Sequence, residues 1–79
     1  MVELHQVVKH DHINMDMNTK ARALLTAQLW DVVEHLKPSG ILSKGTVVHV
    51  IRKSPKKDHV VIFHEGEVHS VFKHHLELV

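Results

Sequence analysis

The sequence predicts an α+β domain in which one amphipathic helix packs on a small antiparallel sheet, and three observations predict it. Between about Thr19 and Leu36, apolar residues recur at spacings of three and four, the period of one helix face. From Thr46 onward, short β-branched runs alternate with turn residues. Those runs are apolar on both faces, so the sheet needs a second cover, and the helix is the element able to supply it. With 79 residues there is room for one core, and residues 1–79 are expected to form a single domain.

The chain opens with a stretch expected to be extended. Val2 to Val8 is β-permissive, and His10-Asp11-His12-Ile13-Asn14 carries a weak alternation on to Met15 and Met17. Asp16 or Asn18 can then accept the orphan N–H groups of a first helical turn. Lys37-Pro38-Ser39-Gly40 stops the helix, because proline disfavours helical backbone at Lys37 and glycine tolerates positive φ. Leu25, Leu29, Val32, Val33 and Leu36 fall on one stripe, expected to be buried, with Ala23, Ala27 and Trp30 on the adjoining strip.

The sheet is expected as a meander of Thr46 to Ile51, His59 to His64, Glu67 to Phe72 and a short Leu76 to Val79, with Glu65-Gly66 as its tight turn. A two-residue turn sets His64 opposite Glu67, Phe63 opposite Val68, Ile62 opposite His69 and Val61 opposite Ser70. One face then holds Val61, Phe63, Val68 and Phe72. The other holds Val60, Ile62 and Val71 with His64, Glu67 and His69.

The run Gly45-Thr46-Val47-Val48-His49-Val50-Ile51, the stretch Asp58 to Phe72, and Lys73-His74-His75-Leu76-Glu77-Leu78-Val79 together resemble the later part of an SH3-like small β-barrel. The resemblance covers residues 45–79. It implies a small antiparallel barrel or curled sheet, with the helix standing where such a domain has its first long loop. Barrels of this kind host protein-, RNA- and DNA-binding modules alike, so the resemblance does not choose a function. The chain has no tyrosine and, among aromatics, only Trp30, Phe63 and Phe72, which argues against a groove for proline-rich ligands.

Composition excludes several classes. With no cysteine there is no disulfide, thiolate zinc site or thiol nucleophile. Met1 to Lys9 has neither a leading basic cluster nor an apolar h-region, and no apolar run is long enough to span a membrane. A cytoplasmic protein without membrane contact is the expectation. Net charge is +1 with histidine neutral, too low for the field of a dedicated DNA-binding domain.

Gly40-Ile41-Leu42-Ser43-Lys44-Gly45-Thr46 glances toward a phosphate loop, but its lysine precedes the second glycine and a strand follows. His64-Glu65-Gly66-Glu67-Val68-His69 is one residue too long for a helical HExxH and has a glycine at a hairpin. The ten histidines include His10 with His12, and His74 with His75, yet no tetrahedral set is drawn. His49 and His69 are the candidates for burial at a helix–sheet rim. Ser39, Ser43, Ser54 and Ser70 lack the glycine context of a nucleophile elbow. No catalytic residue, metal or cofactor is therefore assigned.

Arg52-Lys53-Ser54-Pro55-Lys56-Lys57 is the remaining feature, four cations in six residues on a loop between strands. Arg52, Lys53, Lys56 and Lys57 are the candidate contacts for a phosphate or an acidic partner, with Lys44 and Lys73 able to extend the patch. A solubilising role for the same loop is the plain alternative. The leading expectation is a non-enzymatic adaptor or regulator acting by protein–protein contact. A nucleic-acid-binding module using loop 52–57 is the alternative, and a homodimer is the self-association so small a core would favour.

Overall fold

Alternation, not helical period, governs the chain after Thr19. The computed structural model describes residues 19–79, and within them lie seven strands and one 3-10 turn but no α-helix. The strands are β1 (Lys20–Ala23), β2 (Ala27–Trp30), β3 (Pro38–Leu42), β4 (Val47–Lys53), β5 (His59–His64), β6 (Glu67–Phe72) and β7 (Leu76–Leu78), with the 3-10 turn Lys73–His75 before β7. The extended segment expected over residues 2–17, and with it the His10/His12 pair and the cap at Asp16 or Asn18, lies outside the described residues.

The expected α+β class is therefore corrected to an all-β one, and the helix at 19–36 does not form. Ala21, Ala23, Ala27 and Leu29 are the buried residues of that stretch, an i, i+2 set on two short strands, each under 3% exposed. Most of the predicted helical stripe is wet: Leu25 is 42% exposed, Val33 83% and Leu36 84%. The physical reason lies in the sheet edges. β1 pairs with both β4 and β7, and β2 pairs with both β3 and β6. A helix over these residues would leave β4, β6 and β7 with open rows of backbone donors and acceptors.

All pairings are antiparallel, in one sheet of order β3-β2-β6-β5-β4-β1-β7. Side chains from every strand, among them Leu29, Leu42, Val50, Ile62, Val71 and Leu76, form a single buried cluster on one face. A sheet that encloses a core with its own inner face has curled, so that face needs no helix to cover it. Pro38, read from sequence as a helix stop, opens the edge strand β3, where a missing N–H does little harm. Gly40 continues that strand opposite Leu29, and a Cβ there would stand 3.6 Å from Leu29 Cδ1.

The β5–β6 hairpin follows from its turn. Glu65 and Gly66 both have positive φ, 51° and 80°, the pairing required by a two-residue turn whose twist matches the strands. The register is the one that turn dictates, His64 opposite Glu67 through His59 opposite Phe72. Val60, Ile62 and Val71 face the core, whereas Phe63 and Val68, 37% and 48% exposed, lie on the outer face. No helix among the described residues is long and apolar enough to cross a membrane.

Candidate functional site

β4 runs to Lys53, so Arg52 and Lys53 are strand residues and not part of a free loop. Strict alternation after the buried Val48 and Val50 would set Arg52 opposite Val60 on the core face. A bulge between Val50 and Arg52 prevents this: Arg52 opposes Val61 on the outer face, and Lys53 takes the place opposite Val60 at the rim of the core. The bulge thus spares the core a guanidinium, which could not be desolvated cheaply.

The β4–β5 loop then turns on its own hydrogen bonds. Ser54 N donates to His59 O at 3.0 Å, His59 N to Lys56 O at 3.2 Å, and Lys56 N to Ser54 Oγ at 3.2 Å. Ser54 is buried and its hydroxyl lies 2.8 Å from that of Ser70 in β6. Asp58 adopts the left-handed backbone that aspartate tolerates, φ 60°, and its carbonyl accepts from Lys73 N at 2.9 Å. That bond ties the loop to the 3-10 turn.

The four cations separate. Lys56 Nζ lies 5.8 Å from the centroid of the Trp30 ring, a cation–π contact. Trp30 itself pairs with Ser70, Ser70 with Val61 and Val61 with Arg52, so Arg52 and Trp30 end one cross-strand row whose middle members, Val61 and Ser70, are fully buried. Lys53 and Lys57 instead line a recess of about 340 Å³, together with Lys73, Asp58 and His59. Lys73 Nζ is 3.5 Å from Asp58 Oδ1, with only 17% of its side chain exposed. Lys44, in the turn after β3, is not among the lining residues.

No family model, curated protein or solved structure matches the chain.

His59 is buried, and its Nδ1 donates to Lys57 O at 2.7 Å, since a carbonyl can only accept. Burial holds its pKa below the ordinary histidine value, and Lys56 and His75 push the same way against the Lys57 carbonyl and Asp58. Phe72 stands edge-on to His59, His74 and His75, with ring centroids 5.0 to 5.5 Å apart. The sequence named His49 and His69 for a buried rim; the structure buries His69 and His59 and leaves His49 half-buried.

His64, Glu67 and His69 do not gather: His64 Nε2 lies 3.4 Å from Glu65 Oε1, and His69 Nδ1 lies 2.7 Å from Ser39 Oγ. Among the described residues, no three His, Asp or Glu side chains are placed to hold a metal ion.

A second feature was missed from sequence because it was assigned to the helix. Residues 31–37 form a loop braced from within. Asp31 Oδ2 accepts from Val33 N at 3.0 Å and Glu34 N at 2.6 Å, Lys37 N donates to Glu34 O, and Asp31 N donates to Lys37 O, both at 2.8 Å. The bond to Glu34 N is the chief reason the Asp31 carboxyl sits below the usual aspartate value. Trp30 enters this loop directly, so its apolar tips and the Lys56-capped indole belong to one region.

Proposed function

We propose that the chain is a non-enzymatic adaptor or regulator of the cytoplasm that docks a protein partner through the loop 31–37 and the neighbouring Trp30. The observation that carries this reading is that Val33 and Leu36 stand 83% and 84% exposed on a loop held by four internal hydrogen bonds. Folding gains nothing from apolar side chains held in water. A partner that buries them gains their transfer free energy, and a pre-ordered loop loses little entropy on docking. Lys56 over Trp30, with Arg52 on the same face, supports a partner whose apolar contact is edged by acidic groups. The separation of Arg52 and Lys56 from Lys53 and Lys57 speaks against a continuous phosphate track.

Affinity capture from native lysate, with nuclease-treated and untreated arms, tests this. Wild type, Val33→Ser/Leu36→Ser and Lys56→Glu/Lys57→Glu serve as baits. The proposal expects a protein retained after nuclease and lost with the loop variant. Capture that vanishes with nuclease, or that only the charge reversal abolishes, would replace it by nucleic-acid binding. Sedimentation equilibrium of wild type against the loop variant tells whether the partner is a second copy of the chain.

A further inference from the structure

We propose that the docking partner is a second copy of this chain, bound across a two-fold axis through one patch that joins loop 31–37 to the tip of the β5–β6 hairpin. The proposal rests on the docking reading above and names its occupant. Trp30 pairs with Ser70 in antiparallel fashion, so the chain beyond Trp30 runs toward the end of β6 that carries Val68 and Glu67. Loop and hairpin tip therefore stand side by side at one end of the sheet. Both expose apolar side chains: Val33 and Leu36 on the loop, and Phe63 and Val68 directly opposite each other beside the turn.

A two-fold interface lays one half of a patch on the other half, twice, so the two halves must complement each other. Here they differ in charge. The hairpin half carries Glu65 and Glu67, both exposed, in and beside the turn. The loop half carries Lys56 over the Trp30 indole at the root of the loop, a contact that leaves the ammonium charged and able to donate. Of the other charges in the loop half, the Asp31 carboxylate is turned to the loop's own N–H groups, and Lys37 Nζ stands 3.7 Å from Glu34 Oε2. A copy turned about the axis brings Lys56 of each chain toward Glu65 and Glu67 of the other, and lays Val33 and Leu36 on Phe63 and Val68. Because the halves adjoin, both contacts form within one pair of chains, whereas halves at opposite ends of the molecule would run head to tail into filaments. Strand addition is the poorer route to a dimer, since edge strand β3 opens with a proline and is irregular in register, and edge strand β7 has three residues.

The test is sedimentation equilibrium of the full chain from about 1 to about 500 µM. Wild type should approach twice the chain mass, and Val33→Ser/Leu36→Ser should weaken association at least about tenfold. Glu65→Lys/Glu67→Lys makes both halves basic and Lys56→Glu makes both acidic, so each variant should be monomeric alone. A 1:1 mixture of the two restores opposite charges at both contacts and should associate within about threefold of wild type. Far-UV circular dichroism matching that of wild type shows that the variants are folded. A wild type monomeric throughout, a loop variant that associates as wild type does, or a mixture no better than its components would overturn the proposal, and masses above the dimer would overturn the two-fold closure. A monomeric wild type whose capture of a lysate protein is still lost with the loop variant would sink this inference and leave the docking reading standing.

Discussion

Leu29→Ala should destabilise the fold by about 3 to 4 kcal/mol, whereas Leu36→Ala should change stability by less than about 0.5. Leu29 is 1% exposed in β2, and truncation deletes three buried carbons. At about 0.8 kcal/mol each, that is about 2.4 kcal/mol of transfer free energy, to which the residual cavity adds its own penalty. Gly40, directly opposite, has no side chain to move into the space. Urea denaturation at constant m-value reads the loss, and thermal scans should show a fall of about 12 °C or more. A partial rescue belongs to the same experiment: Gly40→Ala would put a methyl 3.6 Å from the site of the deleted Cδ1, so it should stabilise more in the Leu29→Ala background than in wild type. Equal losses for Leu29→Ala and Leu36→Ala would refute the hairpin and restore a docked helix, since only the helix buries both.

Gly66→Ala should cost about 1 to 2 kcal/mol by placing a Cβ at φ 80°, and Glu65→Asn should stabilise by about 0.5 to 1 kcal/mol, both read from urea midpoints. Ser70→Ala, which removes one of the two hydrogen bonds of the buried Ser54 hydroxyl and leaves that from Lys56 N, should cost about 0.5 to 1.5 kcal/mol by the same measure. Asp31→Ala should speed hydrogen exchange at Val33 and Glu34 while leaving the β5–β6 amides protected. For His59, whose folded pKa is lowered, the unfolded chain binds the extra proton below its pKa of about 6.5. Its contribution is therefore complete above that pH and lost as pH falls toward the folded value, so stability should drop between pH 7.5 and 5.5 by less in His59→Gln than in wild type.

The meander was legible because each of its signals points one way. Glu65-Gly66 permits one turn type, the turn fixes the register, and the β-branched run before it has no helical alternative. Residues 19–36 are different: Ala21, Ala23, Leu25, Ala27 and Leu29 satisfy alternation while Leu25, Leu29, Val32 and Leu36 satisfy the helical period. Alanine's helix propensity tilts such a tie toward helix. What breaks the tie is non-local, namely the open edges of β4, β6 and β7, which window-based periodicity does not count. Strands this short carry little signal of their own. A cue was nonetheless present in Asp31, since aspartate closes its own turn as readily as it starts a helix.

The site was half legible for a related reason. Four cations in six residues suggest one patch, but a strand sends neighbours to opposite faces, so the chain direction through Arg52 and Lys53 decides which cations meet. From alternation alone, Val48, Val50 and Arg52 share a face, and the arginine would enter the core. That conflict is itself the signal of a bulge, because an unpaired buried guanidinium is costlier than one irregular residue in a ladder. Once Ile51 is taken as the extra residue, Arg52 goes out toward the face of Trp30 and Lys53 goes to the core rim, where the 3-10 turn brings Lys73. The same reasoning predicts the effect of removing the irregularity. Deleting Ile51 would join Val50 to Arg52 in strict pairing, with Arg52 still opposite Val61 and Lys53 still opposite Val60, so the register beyond the bulge should be kept and the loss of stability should be small. Deleting Ile51 and Arg52 together should cost much more, as judged by urea midpoint, because Lys53 then moves opposite Val61 and the buried Ser54 is pulled out of its place beside Ser70. Were the two deletions equally costly, Ile51 would not be the extra residue that sets the register of β4.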